Sequence, residues 1–255
     1  MPMIRKILNV SVLVAVVALG ACAARDVPVG VNDPNEERNR KIHAFNKRVD
    51  DGVLRPLSSG YGGGVPAPVQ KGVGNFAGNL STPGYFVNDV LQGNIDDAAH
   101  NFVRFIFNTT IGLGGLFDPA TSWGLHERSS DFGETLHVWG APEGAYMELP
   151  FLGPSTQRDA AGKVVDIFTN PLSYVIPAPE KYGMPVVKGF SGVGARYRYR
   201  ELVDSILYDS ADSYAQARLL YLDARRFQLS GSSSGPNAGD VDPYADPTGI
   251  DPYAD

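Results

Sequence analysis

Few side chains in this 255-residue sequence are spaced for chemistry, and the most specific of them is Cys22. It is the only cysteine, and it closes the run Leu19-Gly20-Ala21-Cys22. That pattern is a lipobox: a branched apolar residue, two small residues that admit a peptidase to the backbone, then a thiol that takes a diacylglyceryl group. Arg5 and Lys6 precede it as a positive n-region. Ile7 to Ala21 forms an apolar run of about fifteen residues, short of the roughly 20 that a membrane span needs. An ordinary signal peptide with an incidental cysteine is the competing reading. The sole cysteine at the one required position favours lipidation, and acyl chains contribute about 0.8 kcal/mol of anchoring per buried CH₂. Ala23, rather than Asp, follows the cysteine and favours the outer membrane. One cysteine also excludes an intrachain disulfide and a cysteine zinc cage.

The remaining candidates for catalysis are weak. His43, His100, His126 and His137 are the only histidines, and none has metal-ligand spacing. His126-Glu127-Arg128-Ser129-Ser130-Asp131 holds the residue types of a hydrolytic triad, but sequence adjacency is not triad geometry; the plain reading is a polar loop. Gly72-Val-Gly74-Asn-Phe-Ala-Gly78 misses the dinucleotide fingerprint, and Gly162-Lys163 lacks the rest of a phosphate loop. No catalytic, metal or cofactor site is expected.

The elements that would carry any site read as a train of short helices. Asp33 as cap, Pro34 in the first turn and Glu36 as capping-box partner predict a helix with Ile42, Phe45 and Val49 on one face. Val69, Val73, Phe76 and Leu80 repeat the pattern. Thr82-Pro83 predicts a new start, followed by Phe86, Val87, Val90 and Leu91. Asn94 with Asp97 starts a helix through Ala98, Phe102, Phe105 and Ile106. Thr156 with Asp159 starts another, containing Val164, Val165, Ile167 and Phe168. A helical region from about Val193 to Leu229 has a predicted break near Asp209. The fold class is mainly α. Gly72, Gly74 and Gly78 on one helix suggest close backbone approach, and residues 108–154 read as glycine-rich loops.

Composition bounds the rest. Formal net charge is −6 with pI near 5.2, which argues against a nucleic-acid partner. Residues 230–255 carry no Lys or Arg and repeat Asp-Pro-Tyr-Ala-Asp at 242–246 and 251–255; this segment is expected to be a disordered acidic tail. The organisation is a signal peptide at 1–21, a lipidated linker at 22–32, a helical domain at 33–229 and the tail.

The chain also carries a collinear set of motifs. Asp33-Pro34-x-Glu36-x-x-Asn39-Arg40-x-Ile42-x-x-Phe45-Asn46 opens the domain. Asn75-Phe76-x-x-Asn79-Leu80, Leu91-Gln92-Gly93 and Arg104-Phe105-x-x-Asn108-Thr109-x-x-Gly112-x-Gly114-Gly115-x-x-Asp118 follow. Then come Phe132-Gly133-x-Thr135-Leu136, Trp139-Gly140, Gly144-x-Tyr146 and Leu149-Pro150-x-x-Gly153-Pro154-Ser155-x-x-Arg158-Asp159. Over residues 31–229 the sequence resembles the MlaA (VacJ) family of outer-membrane lipoproteins.

That resemblance implies a ring-like, membrane-embedded helical domain with an amphipathic central channel, lipid-anchored at the periplasmic leaflet of the outer membrane. It implies removal of mislocalised phospholipid from the outer leaflet, delivery to a soluble periplasmic phospholipid carrier, association with a trimeric porin, and no catalysed reaction. Gly140 and Gly144, with Pro142 between them, match a flexible gating loop in the family. Phe45-Asn46 matches an N-terminal helix motif beside the channel. Phe86, Phe102, Phe105, Ile106 and Phe107 are candidates for the embedded rim, though the same residues would serve a soluble core. The alternatives are a structural, porin-associated lipoprotein without transport and an envelope hydrolase using the His126–Asp131 segment.

Overall fold

A computed structural model describes residues 30–232; Cys22, the predicted signal segment and the Asp-Pro-Tyr repeats lie outside them. The fold is mainly α, as the periodicity predicts. Helix α1 spans Glu36–Val49 and continues through a π turn, Asp50–Leu54, into α2, Arg55–Gly64. Helix α3 spans Ala67–Gln92 and α4 spans Ile95–Thr110. Short helices α5 (Pro119–Ser122) and α6 (Phe132–Val138) follow, then strands β1 (Tyr146–Leu149) and β2 (Gly153–Thr156). Helices α7 (Gln157–Thr169), α8 (Leu172–Val175), α9 (Gly183–Arg198), α10 (Arg200–Asp204) and α11 (Ser213–Ser232) complete the chain.

Local chemistry sets most boundaries. Asn94 caps α4 by accepting from the Asp97 amide, and Thr156 caps α7 by accepting from the Asp159 amide, each filling a donor that a helix start leaves open. The expected break near Asp209 falls at Ser210, where the backbone turns extended. The start of α1 differs from expectation. Asn35 occupies the cap without a side-chain bond. Asp33 instead accepts from Asn39 Nδ2 (2.8 Å), Arg218 Nη1 (2.6 Å) and the Tyr214 hydroxyl. A carboxylate shared by α1 and α11 gains more from three bonds, one of them from the Arg218 guanidinium, than from one capping amide.

The two helices predicted on either side of Thr82-Pro83 are one. Helix α3 runs 26 residues with Pro83 inside it, about 39 Å at 1.5 Å per residue. Pro83 has no N–H to give the Asn79 carbonyl. Ser81 and Thr82 hydroxyls donate to the Ala77 and Gly78 carbonyls in the same turn (both 3.1 Å). The helix ends at Gly93, whose φ of +75° supplies the left-handed cap.

Part of the region predicted as loops is an antiparallel hairpin, with Tyr146 opposite Thr156 and Leu149 opposite Gly153. Its strands are four residues each, too short for alternation to be visible in sequence. Tyr146 packs with Tyr214 and Leu222 in a small core cluster between the hairpin and α11.

The α4–α5 turn is held by backbone. The Gly112 carbonyl accepts from the Phe117 amide at 2.9 Å. A Cβ on Gly112 would lie 2.4 Å from both the Asn108 and the Phe117 carbonyl oxygens. We expect Gly112→Ala to cost about 1–3 kcal/mol, read as a lowered thermal midpoint. Gly74→Ala, where a Cβ meets nothing within 4 Å, should leave the midpoint unchanged or raise it by about 0.5–1 kcal/mol. Equal effects at the two positions would contradict this placement.

Candidate functional site

Burial in this fold is inverted. Buried polar and charged side chains outnumber buried apolar ones, and the buried set includes Asn79, Asn88, Asp89, Asn101, Arg104 and Asn108. On α4 the buried residues are Ala98, Asn101, Arg104 and Asn108, while Phe102 and Ile106 stand 51% and 43% exposed. The apolar stripe therefore faces out and the amide-rich stripe faces in. Interior polar groups at this density need hydrogen bonds, and most have them, although the Oδ1 atoms of Asn79 and Asn101 are buried without a partner among the described residues. Asn101 Nδ2 gives bonds to Asp89 Oδ2 (2.7 Å) and the Arg128 carbonyl (2.9 Å). Asn79 Nδ2 donates to Thr109 Oγ1 (3.0 Å) and the Gly114 carbonyl (3.1 Å). Arg104 joins Asp118 (2.7 Å), Thr121 (2.9 Å) and the Leu125 carbonyl.

Helices α3 and α9, with the end of α2, border an open cavity of about 1060 Å³, just above the roughly 300–1,000 Å³ range of small-molecule sites. Lys71, Gly74, Gly78 and Ser81 line it from α3; Lys188, Ser191 and Arg198 line it from α9. Arg104, Asp118 and Glu127 close one side. The α3 glycines were expected to bring helices together. Gly74 and Gly78 instead border the cavity, and an added Cβ at Gly74 would meet empty space. They keep a wall thin rather than a contact tight. Tyr85 also borders the cavity, and burial, together with the Glu127 carboxylate beside it, pushes its phenol up to about 12. A clamp fixes α9 against the π turn after α1: Arg196 pairs both oxygens of Asp50 (2.8 and 2.9 Å), and Asp50 also accepts from the Tyr208 hydroxyl (2.8 Å).

Outside, apolar side chains are left uncovered. Ile111, Leu113, Leu116 and Phe117 of the α4–α5 turn are exposed, beside Phe102 and Ile106. Phe86 lies ring to ring with Phe102 at 5.8 Å, and Phe107 meets Trp123 edge-on at 4.8 Å. Of the predicted rim residues, Phe102 and Ile106 are exposed and Phe86, Phe105 and Phe107 half-buried. No described helix is long and apolar enough to cross a membrane.

The comparisons with known proteins agree over this whole region. A family model described as MlaA lipoprotein matches residues 31–228. The chain belongs to the MlaA lipoprotein family. Within the family, the Escherichia coli K12 intermembrane phospholipid transport system lipoprotein MlaA is 33% identical over 213 residues, covering 81% of this chain and 82% of that protein. The Haemophilus influenzae protein of the same name is also 33% identical, over 86% of this chain and 88% of its own length. A Rickettsia felis protein named only as uncharacterized is 37% identical over 74% of each. A solved chain, from work described as the structural basis for maintenance of bacterial outer membrane lipid asymmetry, superposes with a TM-score of 0.65. It is 32% identical and covers 77% of this chain and 98% of that one.

The remaining predicted site residues fall away from the MlaA-family chain's large cavity. Phe45 and Asn46 hold the hairpin. Asn46 donates to the Leu149 carbonyl (2.9 Å) and accepts from the Phe151 amide (2.8 Å), and the Phe45 ring meets Phe151 edge-on at 5.2 Å. The pair fixes the turn at Phe151, whose φ is +65°. Gly140 and Gly144 both have left-handed backbone, at +85° and +74°, and with Pro142 they bracket the link from α6 to β1. Glu143, inside that link, pairs with Arg226 of α11 (2.8 and 3.0 Å).

The hydrolytic segment is not assembled as a triad. Asp131 caps α6 and pairs with Arg225 (2.7 Å), Ser130 accepts from Gln92 (2.8 Å), and the His126 carbonyl meets His100. His43 does lie between Ser213 Oγ (3.1 Å) and Glu148 (3.3 Å). Glu148 is also bound by Tyr146 and Asn46, and the Ala215 amide, two residues after Ser213, already donates to Asp212. The set pins α1, β1 and α11 together.

Asp89 offers a pH test of the polar interior. Burial pushes its carboxyl up to about 6, only partly offset by hydrogen bonds from Asn101 and Ser130. Between the unfolded value near 3.9 and about 6, the folded protein holds a proton that the unfolded chain has lost, so this group's contribution to stability declines as pH rises. We expect Asp89→Asn to gain a few degrees in thermal midpoint relative to the parent between pH 4 and pH 7. A difference that stays flat across that range would contradict the assignment.

Proposed function

We propose that this chain is an outer-membrane lipoprotein, anchored through Cys22 in the periplasmic leaflet. It removes phospholipid that has strayed into the outer leaflet and passes it to a soluble periplasmic carrier, held in place beside a trimeric porin. The observation that carries this reading is the inverted burial: an apolar belt outside, a hydrogen-bonded polar interior, and a charged cavity between α3 and α9. A phospholipid headgroup is costly to move through hydrocarbon. A ring of helices lying in one leaflet, with a polar opening for the headgroup, lowers that cost while the acyl chains stay in lipid. Exposed large apolar side chains gathered on α4 and the turn after it favour a membrane or protein contact over a face in water. The relatives named for intermembrane phospholipid transport supply the direction of the reading.

The test is deletion of the gene followed by measurement of phospholipid at the cell surface. Surface phospholipid should rise, fall back with the wild-type gene, and stay high with Cys22→Ala, which leaves the protein unanchored. Normal surface phospholipid in the deletion strain would overturn the reading and leave the structural, porin-bracing alternative.

A further inference from the structure

The cavity between α3 and α9 is unbalanced in charge. Lys71, Lys188 and Arg198 line it and make no ion pair among the described residues. Of the two lining carboxylates, Asp118 is tied to Arg104 at 2.7 Å; Glu127 makes no ion pair among the described residues and sits beside the Tyr85 phenol. Arg200 also reaches the cavity, but its guanidinium lies over the Tyr197 ring at 4.8 Å and within 3.5 Å of Glu201. Three unpaired cations therefore face one unpaired acid.

Resting on the phospholipid reading above, we propose that this cavity selects net-anionic phospholipids over zwitterionic ones, with Lys71, Lys188 and Arg198 as the selecting residues. Any phospholipid brings a phosphate to these cations. A zwitterionic ethanolamine headgroup also brings an ammonium, whose repulsion from the same three cations cancels much of the attraction. A glycerol headgroup brings no second charge and keeps the attraction, which water weakens but does not reverse, since all three cations are exposed. Lys71 and Arg198 stand on facing helices, so a phosphate between them draws from both walls.

The experiment uses the full-length lipidated protein in neutral detergent, titrated with fluorescent phosphatidylglycerol and phosphatidylethanolamine of identical acyl chains. The expected preference for phosphatidylglycerol is about tenfold, or about 1.4 kcal/mol. Lys71→Gln, Lys188→Gln and Arg198→Gln combined should bring the two affinities within about twofold. The combined change Arg38→Gln with Arg48→Gln, at charges outside the cavity that make no ion pair among the described residues, should leave the preference intact. Should the triple variant fold poorly by circular dichroism, Lys71→Gln alone should lower the preference by about half on a logarithmic scale. Equal binding of both lipids by the parent, or a preference that survives the cavity substitutions, overturns the selectivity. Absence of binding to either lipid overturns the phospholipid reading itself, and with it the selectivity.

Discussion

Arg104→Ala is expected to cost about 3–5 kcal/mol, the typical loss when one partner of a buried ion pair is removed. Arg104 is 6% exposed. It is the common partner of Asp118, Thr121 and the Leu125 carbonyl, and Asp118 also takes a bond from Asn108 (3.0 Å). Removing Arg104 leaves the Asp118 carboxylate without its cation and frees the segment between α4 and α6, which makes one wall of the cavity. Burial alone would raise the Asp118 pKa, but hydrogen bonds from Thr121, Arg104 and Asn108 hold it below the ordinary value. Asp118 therefore contributes stability that is present at neutral pH and lost as pH falls through its depressed folded-state value. In Arg104→Ala part of that acid sensitivity should disappear along with the stability. A thermal-midpoint change equivalent to less than about 1 kcal/mol, the scale of an exposed ion pair, would show that the pair is not buried as described.

The second large effect concerns the belt. Phe102→Asp with Ile106→Asp places two charges on the outward face of α4. On insertion scales each charge costs about 2.5–3.5 kcal/mol at mid-membrane, and less nearer the interface. The double variant should partition markedly less into bilayers than the parent, measured by vesicle flotation of the acylated protein. Its thermal midpoint in detergent should change little, because neither side chain packs the interior. A large loss of stability without a change in flotation would mean that this face is a core and not a belt.

How far the chain was readable from its residues follows from what periodicity encodes. The caps at Asn94 and Thr156 were legible because a cap is local chemistry within three residues. The apolar stripe on α4 was legible too, but a stripe does not say which side holds oil. Taken as core-facing, Phe102 and Ile106 would have been buried; they stand outside. The deciding signal was the opposite stripe. Asn39, His43 and Asp50 on α1 and the turn after it, and Asn101, Arg104 and Asn108 on α4, are buried polar residues at helical spacing. A regular polar stripe of amides is wasteful on a water-facing surface and useful in a hydrogen-bonded interior. The cavity cations were not legible. Lys71 lies more than one hundred residues from Lys188 and Arg198, and only the packing of α3 on α9 brings them to one space. The merged α3 was missed because Thr82-Pro83 has the composition of a helix start, and tertiary packing overrides that local preference.

Gly74 offers the most direct test of the central claim, that the cavity is the route taken by phospholipid. Its backbone borders the cavity, and an added Cβ meets nothing within 4 Å, so Gly74→Trp adds bulk at the opening. In cells carrying Gly74→Trp as the sole copy, at parental abundance and membrane association, surface phospholipid should rise to the level of the deletion strain. Parental levels of surface phospholipid in those cells would contradict the account.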